Sequence, residues 1–258
     1  MNLFNFSGKV AVITGASSGL GADAARGFAE HGADVALLAR RKEKLDSIVE
    51  EINNKNGGRA FAVACDVSDE KNTQEAVASV LNHYSKIDIL LNNAGVAFGG
   101  SVESLNDSEW DKAINVNLKG IIHMSKYVVP GMREQKYGRI INVASINAIL
   151  ADKPAALWRH AYNMTKAGVI GLTKGMAASY TQYGVTTNAV CPGLFETEMT
   201  ENTLFKATDF MNMYNALCPA SRPGAKGELN APILFFASEG AGYVSGQYLL
   251  VDGGFSIV

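Results

Sequence analysis

Seven short apolar runs punctuate this chain, and the segments between them carry helical spacing. The runs are KVAVIT (9–14), DVALLA (34–39), RAFAVA (59–64), IDILLN (87–92), GRIINVA (138–144), VTTNAVC (185–191) and QYLLVD (247–252). Several are almost continuously apolar, which is the pattern of strands covered on both faces. Between the second and third runs, Leu45, Ile48, Val49 and Ile52 recur on one helical face. Strand–helix alternation of this kind implies right-handed crossovers, and hence a parallel sheet with helices on both sides. The chain therefore reads as α/β: a single doubly wound domain over residues 1–258, built on a seven-stranded parallel sheet. In such sheets ligands collect beyond the carboxyl ends of the strands.

Length and composition set further bounds. At 258 residues a chain can bury roughly 70–75% of its unfolded surface, so no disulfide or metal staple is required. Cys65, Cys191 and Cys218 are odd in number and far apart, without a CxxC pair, which points to a reducing, cytoplasmic setting. His31, His83, His123 and His160 show no ligand spacing such as HxxxH, so no metal is expected. A net charge of -2 gives no electrostatic case for nucleic acid or an anionic membrane. No apolar stretch reaches the roughly 18–20 residues of a membrane span, and the N-terminus does not read as a signal peptide.

The first run leads into TGASSGLG (14–21), which opens a helical pattern through Leu20, Ala24, Ala25 and Phe28. Gly15, Gly19 and Gly21 allow a tight turn and close approach of a ligand to the backbone. A helix N-terminus behind them offers free N–H groups to a pyrophosphate. A strand before and a helix after are the context that a dinucleotide fingerprint needs, and with them the domain reads as Rossmann-type.

A second pattern carries chemistry. Tyr162 and Lys166 stand four apart in AYNMTKAG (161–168), one helical turn from each other. A phenol with an ordinary pKa near 10 exchanges protons poorly at neutral pH. An adjacent ammonium favours the phenolate, so the sequence predicts an acidified Tyr162 that gives or takes a substrate proton. Ser145 ends the apolar run GRIINVA, at the sheet edge where ligands gather, and can donate to the same substrate oxygen.

TGASSGLG, NNAG (92–95), NVNLKG (115–120), Ser145, Tyr162-x-x-x-Lys166, PGLFET (192–197) and GQYLLVDGG (246–254) occur in that order. The ordered set resembles the short-chain dehydrogenase/reductase family, in the subgroup with chains of about 250 residues. The resemblance runs from Lys9 to Gly254. It implies hydride transfer between a nicotinamide cofactor and a carbon bearing oxygen, with Tyr162 moving the proton and Ser145 orienting the substrate. Lys166 then also binds the nicotinamide ribose, and Asn117 holds a water that relays protons from Lys166 to solvent. By the same resemblance Gly15, Ser17, Ser18, Gly19, Leu20 and Gly21 form the phosphate loop. Asp66 and Val67 cap the adenine, and Asn93, Ala94 and Gly95 lie under the riboses. Pro192, Gly193, Leu194 and Thr197 follow the sixth run, Thr197 reaching the nicotinamide carboxamide. A mobile lid spans about 194–226, and homotetramers are common.

The second run ends in ALLARRKEK, with Ala39 where an acid would hold a free 2′-hydroxyl, and with Arg40 and Arg41 next. A guanidinium matches a phosphate, so NADP(H) is expected over NAD(H). Seventeen positions separate Ser145 from Tyr162, several more than is usual in the family. The extra residues should protrude over the site, with Trp158 as a candidate wall of the substrate pocket. Met199, Leu204, Phe205, Phe210, Met211, Met213, Tyr214 and Leu217 make the lid apolar. That suggests a bulky apolar ketone such as a hydroxysteroid. A gluconate 5-dehydrogenase-like enzyme and a 3-oxoacyl thioester reductase are the enzymatic rivals, and a non-catalytic nucleotide sensor is the rival from another class. His160, two residues before Tyr162, is expected to be structural.

Overall fold

Apolar residues on both sides of a strand leave it no wet face, and the computed structural model buries the five inner strands accordingly, while the two edge strands stay partly exposed. It describes residues 4–55, 59–198, 200–201 and 204–258; Met199 lies outside these. The strands are β1 (Val10–Thr14), β2 (Asp34–Ala39), β3 (Ala60–Ala64), β4 (Ile89–Asn92), β5 (Gly138–Val143), β6 (Val185–Pro192) and β7 (Tyr248–Val251). All seven pair in parallel, in the order β3-β2-β1-β4-β5-β6-β7. All seven apolar runs of the sequence therefore became strands.

The order reverses between β1 and β4, where the crossovers turn to opposite faces and a crevice opens at the carboxyl edge. Helices α1 (Gly19–Glu30), α2 (Lys42–Asn53), α3 (Glu70–Tyr84), α4 (Asp107–Ile114), α5 (Gly120–Glu134), α6 (His160–Tyr180), α7 (Thr208–Leu217) and α8 (Asn230–Ala237) complete the chain. In β1, Ala11 and Ile13 face one core layer with Phe28 of α1, Leu45 of α2 and Ile233 of α8. Val12 faces the other, with Val77 of α3, Met124 and Val128 of α5 and Met176 of α6. This alternation is the period of a strand buried on both sides. Fully buried side chains such as Ile13, Phe28, Leu37 and Leu91 each contribute about 1.5–3 kcal/mol of transfer free energy.

Two helix starts have specific caps. The Asp69 side chain accepts from Asn72 N at the start of α3, and Asn106 and Glu109 form a reciprocal capping box at α4. Between α4 and α5 the helix widens: residues Asn115–Lys119 form a π-turn, in which the Gly120 N–H donates to the Asn115 carbonyl. No described helix is long and apolar enough to cross a membrane.

Candidate active site

The carboxyl ends of β1, β2, β4, β5 and β6 converge on one cleft of about 300 Å³. Gly15, Ser17, Ser18, Gly19 and Leu20 line it from the first loop. Gly15 and Gly19 have φ of 65° and 51°, in the left-handed region that side chains disfavour. A Cβ on Gly15 would stand 2.8 Å from the Ala94 backbone. Ser18 lends no side-chain cap to α1, whose first turn has no acidic residue. The leading N–H groups of that helix therefore stay available to an anion. Gly21 does not line the cleft. A Cβ there would meet Asn93 Nδ2 and Gly15 O at 2.5 Å, so its bareness seats the helix on the loop.

The residues that the resemblance assigned to the adenine and the riboses also lie along this cleft. Arg40 and Arg41 follow β2, Asp66 and Val67 follow β3, and Asn93, Ala94 and Gly95 follow β4, all lining the cleft. The Asp66 carboxylate is turned into its own loop, accepting from Ser68 N at 3.0 Å and Ser68 Oγ at 2.6 Å. Asn93 braces the glycine loop: its Nδ2 donates to the carbonyls of Thr14 and Gly15 at 3.0 and 3.2 Å. Thr14 Oγ1 in turn accepts from the N–H groups of Asn93 and Ala94.

At the opposite end of the cleft stand Ser145, Tyr162 and Lys166. The Lys166 ammonium is 5.5 Å from the Tyr162 ring centroid and donates to the Val143 carbonyl at 2.7 Å. Lys166 is 4% exposed, and that burial draws it down to about 8. The acidified phenol expected from the sequence needs correction. Burial is the larger influence on Tyr162 and raises it, while hydrogen bonding to Ser145 and the charge of Arg159 pull the other way. Desolvation outweighs both, so the Tyr162 phenol is held above its ordinary value. Tyr162 consequently keeps its proton at neutral pH, as a general acid must.

Asn117 sits in the π-turn, 1% exposed, and does not line the cleft. Its Oδ1 accepts from Val96 N at 2.8 Å, and its Nδ2 donates to Val96 O and Thr165 Oγ1 at 2.9 and 3.0 Å. It ties the loop after β4 to the Tyr162 helix. A Cβ on Gly95 would lie 3.4 Å from Asn117 Oδ1 and 3.5 Å from Lys166 Nζ, so glycine there leaves room over the lysine.

After β6, Pro192, Gly193 and Thr197 reach the cleft, but Leu194 does not. Its side chain packs with Tyr214 and Cys218 beneath α7. Trp158 is not a wall of the cleft either: it is 38% exposed and its indole N–H donates to the Lys153 carbonyl in its own loop. The ring lies 5.8 Å from that of His160, whose Nδ1 accepts from Val102 N, a structural bond. Leu204, Phe205, Phe210 and Met211 pack with Leu194, Tyr214, Cys218 and Phe255, so these side chains fill a small core of their own.

The sequence reading missed several lining residues. Cys65, Val96, Val116 and Phe195 supply apolar surface that nothing in a single sequence distinguishes from core. Cys65 and Cys191 are both buried, which pushes each thiol up to about 11 and leaves it inert. Glu198 and Thr200 also line the cleft. Arg41 and Lys44 both pair with Glu198 and hold its carboxyl well below the usual range, at about 2.

The chain matches the short chain dehydrogenase family over residues 9–207. It belongs to that family. A 3-oxoacyl-[acyl-carrier-protein] reductase of Thermotoga maritima is 38% identical over 252 residues, 97% of this chain and 98% of the relative. A gluconate 5-dehydrogenase of Gluconobacter oxydans is 35% identical over 256 residues, 99% and 98% of the two chains. A crystal structure of a gluconate 5-dehydrogenase from Burkholderia cenocepacia, in complex with NADP and tartrate, is also similar. It superposes with a TM-score of 0.94 at 32% identity, covering 100% of this chain and 98% of that one. This short-chain dehydrogenase is thus an NAD(P)-dependent oxidoreductase acting on alcohol and carbonyl carbon.

Proposed function

We propose that the enzyme interconverts a ketone and a secondary alcohol with NADP(H), and that its substrate is a small hydroxylated acid of the sugar-acid class. The observation that carries this reading is the two-ended cleft: Ser145, Tyr162 and Lys166 meet at one end and Arg41 stands at the other. The residues present fit a dinucleotide. Bare glycines and uncapped N–H groups at α1 suit its pyrophosphate, and Ala39 in place of an acid, with Arg41 close by, suits a 2′-phosphate. When bound, the cofactor supplies or accepts a hydride at its nicotinamide ring.

The chain's own groups do the rest. Asp66 and Val67 would flank the adenine, Asn93 to Gly95 the riboses, and Thr197 the carboxamide. Ser145 orients the substrate oxygen and Tyr162 gives it a proton in reduction. Lys166, held on the Val143 carbonyl, offers charge to that oxygen's side of the cleft and a donor to the ribose. Asn117 keeps the Val96 loop and Thr165 in place, a positioning role.

The substrate class rests on polarity near Tyr162. Arg159 acts electrostatically on the phenol. Asn147 N donates to Ser145 Oγ at 3.1 Å, and Asn147 Nδ2 to Asp152 at 3.3 Å. Of the apolar side chains that suggested a hydroxysteroid, Leu204, Phe205, Phe210, Met211 and Tyr214 are engaged in their own packing, which favours the smaller substrate, while Met213 and Leu217 are exposed. Similarity to two gluconate 5-dehydrogenases supports the same class. The 3-oxoacyl reductase relative makes a thioester ketone the second reading. The exposed Tyr248, Leu249, Ile257 and Val258 at β7 and the chain end support a homotetramer.

Steady-state kinetics with NADPH and NADH against a keto-sugar acid, an acetoacetyl thioester and a steroid ketone test the assignment. The sugar acid with NADPH should give the highest kcat/KM, and Arg41→Ala should raise KM for NADPH about tenfold with little change for NADH. Preference for NADH, or for the steroid, would overturn it.

A further inference from the structure

Two acidic side chains line the cleft, and of these Glu198 forms ion pairs across it. Asp66 is occupied by Ser68. Glu198 instead reaches two cations on the opposite wall. Its Oε2 accepts from Arg41 Nη2 at 2.6 Å, and its Oε1 pairs with Lys44. The same Arg41 nitrogen donates to Ser17 Oγ at 3.1 Å and Ser18 Oγ at 3.2 Å. Arg41 thereby joins the phosphate loop to a residue 157 positions later in the chain.

Local bonding aims that carboxylate. Thr197 N donates to Thr200 Oγ1 at 3.0 Å, and Thr200 Oγ1 donates to the Phe195 carbonyl at 2.7 Å. The Thr197 side chain rests against the phosphate loop, 3.2 Å from where a Cβ on Gly19 would stand. A carboxylate bridging a guanidinium and an ammonium reproduces the charge pattern that a phosphate monoester makes with the same two groups. It is ionised throughout the working pH range, since its carboxyl is held at about 2.

Resting on the NADP(H) reading above, we infer that Glu198 is an internal stand-in for the adenosine 2′-phosphate. An incoming 2′-phosphate must take Arg41 and Lys44 from Glu198, because a dianion and a carboxylate on the same cations repel each other. A dinucleotide with a free 2′-hydroxyl makes no such demand and leaves both ion pairs closed. Glu198 thus lowers affinity for NADP(H) selectively and sets how far the enzyme discriminates between the two cofactors. Its release from the cleft mouth and the seating of the 2′-phosphate become one event.

Titrating the full-length protein with NADPH and NADH, followed by nicotinamide fluorescence, tests this. Glu198→Gln should tighten NADPH about three- to tenfold and NADH less than twofold, each exposed ion pair being worth up to about fivefold in a binding constant. Glu198→Asp, which keeps the charge, should gain less than Glu198→Gln. In an Arg41→Ala, Lys44→Met background, Glu198→Gln should change nothing. Unchanged or weaker NADPH binding in Glu198→Gln, or an equal gain for both cofactors, would overturn the inference alone. If the double variant that retains Glu198 binds NADPH as tightly as the parent, the NADP(H) reading falls and this inference falls with it.

Discussion

At the floor of the cleft Ser145 and Lys166, and just behind it Asn117, are 6%, 4% and 1% exposed. The floor is tied by short bonds to backbone groups at Val96, Asn147 and Val143. Across its mouth, the side chains of Arg41, Lys44 and Glu198 are 39–47% exposed and are joined by solvated, hydrogen-bonded ion pairs and by hydroxyls of the glycine loop. Buried polar groups are costly to leave unpaired, so the floor has one arrangement. Solvated ion pairs are cheap to break, so the mouth can have more than one. Chemistry is placed where the structure resists change, and selection of the ligand where it does not. Substitutions at the floor should therefore alter kcat or stability, and those at the mouth should alter affinity.

Tyr162→Phe should produce the largest effect, a fall in kcat of about 10³-fold with the NADPH dissociation constant within about twofold. Retained turnover would show that the floor does not hold the acid. Gly21→Ala comes next. Its Cβ would meet Asn93 Nδ2 and Gly15 O at 2.5 Å, so overpacking of about 1–3 kcal/mol should lower Tm by roughly 3–10 °C, measurable by calorimetry. An unchanged Tm would mean that the loop can give.

The pH dependence should be smaller and specific. Lys166, drawn down to about 8 from 10.5, carries its charge below that value and loses it above. The kcat/KM for NADPH, which reports the free enzyme, should be flat up to about pH 8 and fall beyond it. Lys166→Met should remove the break. For stability the sign is opposite. Between about 8 and 10.5 the unfolded chain holds this proton and the folded chain does not, so this group's contribution to folding rises with pH. The least effect is expected from Trp158→Ala, whose ring faces His160 and solvent; the substrate KM should move by less than about twofold. A larger change would carry the site outward onto that loop.

Much of this was legible in the sequence. All seven strands could be marked to within a residue or two, because a doubly covered parallel strand must be apolar on both faces and the partly exposed edge strands β3 and β7 are nearly as apolar. The ordered motifs brought Gly15, Arg41, Asn93, Ser145, Tyr162 and Lys166 to one cleft, since each lies at the carboxyl end of a strand or in the helix beside it. The packing of part of the segment after β6 was hidden for a physical reason. Apolar side chains at 204–217 look the same whether they line a pocket or pack under a helix, and Leu204, Phe205, Phe210 and Met211 turned out to pack with Leu194, Tyr214 and Phe255. The raised Tyr162 was equally hidden, because desolvation is a property of neighbours that only folding assembles. Glu198 gave no signal at all, its partners being more than 150 positions away.

The widened turn at Asn115–Lys119 has a consequence for any future editing of this chain. A regular helix advances about 100° per residue, so one additional residue sets the phase of everything downstream. Ile121, Met124, Val128 and Met132 meet the core because of that offset. Deleting a single residue between 115 and 119 would yield a more ideal rod, yet it would swing the carboxamide off Val96 and Thr165 and turn the following stripe away from the sheet. Regularity and activity are alternatives at this point in the backbone.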